Sequence, residues 1–279
     1  MELIENPNTP DTTLIELIKY HSAGSADYCA EAILRTHKKL SERVIRAIAT
    51  QPISYARGLF ASHPDLPEDL IRTFAAEDSM ISVRIAEREN LSDDVKKILA
   101  NNENGDARFA LVKNHELDIE TAELLAADKY ASIRHIVAER CELSEKTLRK
   151  LGGDPDEDVR SAIARRKDLP RDMHETLVND EWWMVRRNLA LRSDLSEEHA
   201  RKLASDSDVL VVDALAYSFC RGKEMPDDVI IDISKKAISA IHFSFNPAWR
   251  SLIAAKEGRL PDEAMRILAS SNERVIREE

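Results

Sequence analysis

The stretch LSEKTLRKLGGDPDEDVRSAIARRKD at residues 143–168 is followed directly by LPRDMHETLVNDEWWMVRRNLALRSD at residues 169–194. Both begin with leucine followed by Ser or Pro, and both have an apolar residue at place 9 and Asp at place 12. Val-Arg stands at places 17 and 18 of each stretch, and an apolar patch fills places 20 to 22. Two adjoining copies of one 26-residue pattern indicate a tandem repeat.

The repeat extends well beyond these two copies. Successive opening leucines lie 25 or 26 residues apart, at Leu40, Leu66, Leu91, Leu117, Leu143, Leu169 and Leu195. We therefore predict one domain over residues 1–279. Residues 40–216 form its regular repeats, residues 1–39 a degenerate N-terminal cap repeat, and residues 217–279 irregular C-terminal repeats and a cap. Terminal repeats are expected to be atypical because they end the stack.

Each unit has the pattern of two helices. Apolar side chains at places 1, 5 and 9, such as Leu91, Val95 and Leu99, share one helical face. A polar loop follows, and then a second, shorter helix that begins near Val159 and Arg160 and is two turns long or partly 3₁₀. The first helix has Ser or Pro where an N-cap belongs. These residues are Ser41, Pro67, Ser92, Ser144, Pro170 and Ser196.

Composition supports a helical chain. The sequence is 43% hydrophobic and 33% charged, with only 7 Gly and 10 Pro in 279 residues, which argues against a strand-rich or low-complexity protein. A formal charge of −11 disfavours general nucleic-acid binding, because neutralising phosphates needs a positive field. The three cysteines lie too far apart for a CxxC metal motif, and no apolar run is long enough to span a membrane. We expect a cytoplasmic protein without a metal or a cofactor.

One unit cannot bury its own apolar face, so neighbouring units must share a core. The prediction is an all-α fold in which tandem two-helix repeats form an elongated, curved α-solenoid with contacts between neighbours.

The pattern L[SP]xxxxxxLxxDxxxxVRxAIAR resembles the leucine-rich repeat variant family and, more broadly, HEAT repeats. The resemblance covers Leu40 to Ala216 and implies a right-handed solenoid. It also implies a ladder in which an Asp and an Arg six places later connect successive repeats. The matching residues are Asp128 with Arg134, Asp154 with Arg160 and Asp180 with Arg186, and Arg57 and Arg108 hold the same arginine place beside Gln51 and Asn102. Ser82 and Val212 replace the arginine in their units.

A second row of arginines stands at place 24, just after the second helix, at Arg88, Arg140, Arg166 and Arg192. Two interpretations are open. The arginines cap helix C-termini and pair with the acids two places later, or they present a basic stripe to an acidic peptide or to phosphates.

Aromatic residues mark two further places. Trp182 and Trp183 replace the usual polar loop residues and either bind a partner or fold over the neighbouring unit. A second group forms a C-terminal cap or a pocket, and consists of Tyr217, Phe219, Phe243, Phe245 and Trp249.

These features favour a non-catalytic scaffold that binds a protein or a peptide, because a stack of helix pairs presents a long surface and we find no catalytic motif. We place the partner along Arg140, Arg166 and Arg192, near Trp182 and Trp183. The alternative is a HEAT-like DNA-binding protein or an alkylpurine DNA glycosylase, in which Asp180 and the two tryptophans would act. That reading rests on analogy of architecture alone.

Overall fold

The computed structural model describes residues 3–20, 23–37, 39–50, 55–240 and 260–270. Across these ranges every regular element is an α-helix, and no residue lies in a strand or in a 3₁₀-helix. The predicted all-α fold is therefore confirmed. The chain divides into two compact units, an N-terminal unit of Met1–Glu142 and a C-terminal unit of Leu143–Glu279.

The N-terminal unit contains ten helices in its described residues. They are α1 (Asp11–Tyr20), α2 (Ala23–Thr36), α3 (Glu42–Ala49), α4 (Tyr55–Ala61), α5 (Glu68–Ala75), α6 (Met80–Ala86), α7 (Asp93–Ala100), α8 (Gly105–Asn114), α9 (Ile119–Leu125) and α10 (Ala131–Arg140). Each packs against its neighbour in sequence or the helix after it. Thus α4, α6, α8 and α10 contact one another in succession, as do α5, α7 and α9.

The C-terminal unit repeats this arrangement. Its described helices are α11 (Glu145–Gly152), α12 (Glu157–Arg165), α13 (Met173–Leu177), α14 (Trp183–Ala190), α15 (Glu197–Ala204), α16 (Val209–Cys220), α17 (Asp227–Ala240) and α18 (Asp262–Ala269). The second helices α12, α14 and α16 pack in succession, and α11 contacts α13. At the end of the chain α15 contacts α17, and α17 contacts α18.

The core follows the predicted apolar places. Leu91, Val95 and Leu99 are all buried, and Ala162 and Ile163 of α12 are 1% and 0% exposed. Five of the seven opening leucines are buried, whereas Leu117 and Leu143 are half-buried. The apolar face of each helix pair is thus covered by neighbouring helices, and the hydrophobic effect favours this arrangement.

The expectation that the second helix is the shorter one is wrong for most units. Helix α12 begins at Glu157 rather than near Val159, because the Asp156 side chain accepts hydrogen bonds from the Asp158 and Val159 amides and caps it. Helix α14 has 8 residues against 5 in α13, and α16 has 12 against 8 in α15. No glycine or proline interrupts these second helices after their caps.

The expected start of the first helices is confirmed in part. Ser144 and Ser196 cap α11 and α15 by accepting hydrogen bonds from backbone amides three residues later. Pro67 holds the N-cap position of α5. Pro170 does not do so for α13, which begins at Met173 after a turn. The proposed division at residues 216 and 217 falls inside α16.

Candidate functional site

Arginines at place 18 form ion pairs with acids 20 residues later. In the C-terminal unit, Arg160 Nε lies 2.7 Å from Asp180 Oδ2 and its Nη2 lies 3.0 Å from Asp180 Oδ1. Arg186 makes the same two-pronged contact with Asp206, at 2.7 and 2.9 Å. The corresponding pairs of the N-terminal unit are Arg57 with Glu77 and Arg108 with Asp128.

Several of these arginines also bind their own loop. Arg160 Nη1 donates to the backbone oxygens of Asp154, at 2.8 Å, and Pro155, at 3.2 Å. Arg186 Nη1 likewise reaches the Asp180 backbone oxygen, at 2.7 Å. Within one unit, the arginine therefore binds the backbone oxygen of the Asp six places earlier. The carboxylate of that Asp binds the arginine of the preceding unit. Arg134 donates to the Asp128 backbone oxygen in the same way, at 2.8 Å.

The acids of this ladder also shape the turn before the second helix. Asp128 Oδ1 accepts a hydrogen bond from the Tyr130 amide at 2.9 Å, and Asp180 Oδ1 accepts one from the Trp182 amide at 2.8 Å. Burial alone would raise the pKa of Asp128, but its hydrogen bonds from Arg108 and from the Tyr130 amide hold that pKa below its ordinary value. The ladder carboxylates are already satisfied inside the fold.

Where the arginine is missing, a side chain from further along the chain replaces it. Ser82 stands at the arginine place, and Asn102, 20 residues later, carries an amide instead of an acid. Asn102 Nδ2 donates to the backbone oxygens of Ala75 and Glu77, at 2.7 and 3.0 Å. Val212 is the second exception, and there Lys236 Nζ donates to the Asp206 backbone oxygen at 3.2 Å.

The second arginine row contacts helix C-termini. Arg88 Nη1 donates to the backbone oxygens of Ala61 and His63, at 2.7 and 2.8 Å, close to the end of α4. His115 does the equivalent at the end of α6, with its Nε2 2.9 Å from the Ala86 oxygen. Arg140 and Arg192 donate to the backbone oxygens 27 and 26 residues earlier, of Lys113 and Arg166. Cations at helix C-termini are favourable because they meet the negative end of the dipole.

Arg166 and Arg192 are also paired with acids, each with the acid two places later. Arg166 binds Asp168 at 2.9 and 2.7 Å, and Arg192 binds Asp194 at 2.8 Å through both prongs. Their side chains are only 10% and 8% exposed. This geometry favours the first interpretation, in which the arginines cap helix C-termini and pair with acids. The guanidinium groups of Arg166 and Arg192 bind partners within the fold.

Within the C-terminal unit, the two tryptophans and Arg192 of the proposed binding site do not form one cluster. Trp182 and Trp183 lie at the N-terminal end of α14, with ring centroids 6.3 Å apart and Trp182 37% exposed. Arg192 follows the other end of that helix, and Arg140 belongs to the N-terminal unit. Phe243, Phe245 and Trp249 of the second aromatic group, together with Gln51 of the ladder, lie outside the described residues.

Sequence reasoning missed a row of exposed side chains at place 23 of successive units. Leu191 and Tyr217 hold this place in adjacent units, 26 residues apart, and are 39% and 43% exposed. Arg165 holds the same place one unit earlier and is also exposed. An apolar or aromatic side chain among charged neighbours at a fixed repeat place was the available signal.

Two adjoining clefts surround this row. One, of about 490 Å³, is lined by Arg165, Lys167, Asn188, Leu191, Arg192, Ser193 and Asp194. The other, of about 660 Å³, is lined by Leu191, Arg192, Ser193, Leu195, Tyr217, Ser218, Arg221, Gly222, Lys223 and Glu224. Because the clefts share three residues, we treat them together and name them the basic groove.

The basic groove contains an unusual lysine. Lys223 Nζ donates to the Arg192 backbone oxygen at 2.9 Å. Burial and the nearby Arg192 lower the pKa of Lys223 to about 8, although Asp194 opposes this. Arg221, in contrast, is exposed and its Nη1 lies 3.0 Å from the Tyr217 hydroxyl.

Two histidines, His174 of α13 and His199 of α15, lie close to each other. His174 is 2% exposed, and its ring centroid lies 6.0 Å from that of His199. Its Nε2 has no hydrogen-bond partner and lies 4.0 Å from Asp194 Oδ2. Burial, and next the positive charge of Arg192, hold the pKa of His174 below its ordinary value. His174 is therefore packed as a neutral ring.

Among the residues that the structure describes, no three His, Cys, Asp or Glu side chains are grouped so that they could hold a metal ion. Nor does any helix in those ranges have the length and apolar character needed to cross a bilayer. No protein-family model matches the chain, and no curated protein shows significant similarity to it.

Proposed function

We propose that the chain is a non-catalytic scaffold of the HEAT-like or leucine-rich-variant kind, a right-handed α-solenoid of about 26-residue units that binds a protein or a peptide. The contacts that recur at separations of 20 and 26 to 27 residues support this architecture. They join each sequence unit to the next one at the same two sets of repeat places.

One observation carries the binding proposal. Leu191 and Tyr217 are exposed at the same place of two successive units, while Arg192, next to the end of α14, is engaged in an ion pair and a carbonyl contact. Large apolar side chains that repeat at one place of a surface, with polar residues around them, are typical of interaction sites.

The glycosylase alternative has less support. Such an enzyme would use Asp180 beside the two tryptophans, but the Asp180 carboxylate is bound by Arg160 and by the Trp182 amide and its side chain is 8% exposed. A general base must have its carboxylate within hydrogen-bond reach of the substrate.

A cytoplasmic location fits the state of Cys29, Cys141 and Cys220, which are thiols and form no disulfide with one another.

The test is selection from an unbiased random-peptide library on the full chain. We expect enrichment of a family of related peptides, and we expect their binding to be weakened by Leu191→Glu. The same protein, incubated with an alkylated DNA duplex, should release no base. Base release without peptide enrichment would overturn the scaffold in favour of the enzyme.

A further inference from the structure

The basic groove has a charge opposite to that of the chain as a whole. Its lining contains five cations, Arg165, Lys167, Arg192, Arg221 and Lys223, and only two carboxylates, Asp194 and Glu224. Asp194 and Arg192 neutralise each other in a two-pronged pair, and among the other lining residues Lys167, Arg221 and Lys223 still outnumber the single carboxylate of Glu224. The whole sequence has a net charge of −11, so this excess of positive charge is local. A local positive field attracts an anionic partner to this surface.

The groove also offers hydrogen-bond donors. Among the described residues, the ammonium group of Lys223 donates to the Arg192 backbone oxygen. An ammonium group has three donors, so this contact uses one of them, and Lys223 is among the residues that line the second cleft. A carboxylate there would replace the water that burial has removed from Lys223, and would raise the lowered pKa of its amine. Arg221, exposed beside Tyr217, provides a second cation at the same cleft.

An apolar surface lies between these cations. Leu191 lines both clefts and Tyr217 lines the second, one repeat unit further along. Packed helices such as α14 and α16 are about 8–10 Å apart. Three residues of a peptide in the extended polyproline II conformation cover this distance at about 3.1 Å each, and side chains three positions apart then lie on one face. A partner with apolar residues three positions apart could therefore contact both side chains.

From these observations we propose that the basic groove binds an extended acidic peptide, whose carboxylates meet Lys223 and Arg221 and whose apolar side chains contact Leu191 and Tyr217. This inference rests on the proposed function and names its partner. A peptide is favoured over nucleic acid because two exposed apolar side chains, Leu191 and Tyr217, line the groove together with its cations. A long polyanion would also be repelled by the acidic remainder of the chain.

The experiment measures fluorescence anisotropy with the full chain and a labelled peptide of sequence EELEEFEE. Three comparison probes are the peptide with lysine in place of glutamate, the peptide with serine in place of leucine and phenylalanine, and a short single-stranded DNA. We expect the acidic apolar probe to bind, and the other three to bind on the order of tenfold more weakly or not at all.

Charge-reversed variants locate the binding. Arg221→Glu with Lys223→Glu should lower affinity for EELEEFEE by on the order of tenfold or more. Lys146→Glu with Lys150→Glu, two exposed residues of α11, makes the same change of net charge away from the groove and should have little effect. Circular dichroism of both variants checks that they remain folded. Leu191→Ala separates the apolar contribution and should weaken EELEEFEE without changing its salt dependence.

The outcomes are distinguishable. If EELEEFEE fails to bind while peptides selected from the random library do bind, the groove inference is wrong and the scaffold proposal stands. Equal loss in both double variants would show a general charge effect and would also overturn the groove. Tighter binding of single-stranded DNA than of the peptide would assign the groove to nucleic acid. If the random library gives no binders either, the scaffold proposal fails as well.

Discussion

Arg160 holds the Asp180 carboxylate with two hydrogen bonds and, through its remaining nitrogen, binds the carbonyl groups of the loop before its own helix. One guanidinium group therefore satisfies two loops that lie in successive sequence units. The planar fork of arginine suits this task, because lysine cannot form the same parallel pair of hydrogen bonds.

Replacing this arginine should be costly. Arg160→Ala leaves the Asp180 carboxylate, which is 8% exposed, without its cation, and we expect a loss of about 3 kcal/mol in the free energy of unfolding. Arg149→Ala is the matched control, because Arg149 is 45% exposed and pairs with exposed Asp172, so its loss should cost under about 1 kcal/mol. Urea unfolding of both variants checks this. Equal losses would mean that burial of the pair does not matter.

Ser82 and Asn102, which stand where other units carry the arginine and the acid of the ladder, give a second prediction. Asn102→Asp replaces an amide that donates hydrogen bonds to two carbonyl groups with a carboxylate that cannot donate, and no arginine stands 20 places earlier to pair with it. We expect this change to lower the free energy of unfolding by about 2–3 kcal/mol. Adding Ser82→Arg should restore part of that stability by rebuilding the ladder pair. A double-mutant cycle in urea measures the coupling, and strictly additive losses would contradict the interpretation.

Stability should decline as the medium becomes mildly acidic. Burial holds the pKa values of His63, His115 and His174 below 6.5 in the folded chain. Protons therefore bind more strongly to the unfolded chain. The stabilisation that these neutral histidines contribute is complete above pH 6.5. It is lost as the pH falls from there through their lower pKa values in the folded chain. His174→Phe should make the fall between pH 7.5 and pH 5 shallower, as measured by thermal unfolding at intervals of pH. Parallel curves for the two proteins would show that His174 does not contribute.

Two adjacent glycines should respond differently to one added methyl group. A Cβ at Gly152 would lie 2.3 Å from Met173 Cε, the end of a flexible but buried side chain that must move aside, so Gly152→Ala should destabilise the chain by at most about 1 kcal/mol. At Gly153 the nearest atom would be 3.8 Å away, and Gly153→Ala should change stability by under about 0.5 kcal/mol. Met173→Ala should remove the penalty of Gly152→Ala in a double-mutant cycle. A larger effect at Gly153 than at Gly152 would contradict this.

Much of the helical fold was predictable, because the apolar places of the sequence repeat directly. Ile163 and Leu99 are completely buried where the pattern places a core residue. The length of the second helices was not predictable from these places alone. The start of α12 depends on the Asp156 cap, and polar residues suit both a loop and the first turn of a helix.

The candidate site was less accessible to sequence reasoning. Arg192 and Leu191 are adjacent in sequence, yet the first side chain is 8% exposed and engaged by Asp194, whereas the second is 39% exposed. A regular row of arginines attracts attention as a surface, although regularity here reflects a repeated contact with the preceding helix end. The residue that differs between repeats, such as Leu191 or Tyr217, is the better guide to a binding surface.

The substitution of Ser82 and Asn102 for an ion pair restricts how such a chain grows or shrinks during evolution. Loss of residues 91–116 alone would bring Ser82 opposite Asp128 and leave a buried acid without a counter-ion. Loss of residues 66–90 alone would put Arg57 opposite an amide. Removal of both segments restores an arginine facing an acid, as Arg57 would then meet Asp128. These two segments are thus expected to be inherited or deleted together, whereas segments with an intact arginine and acid can be duplicated singly.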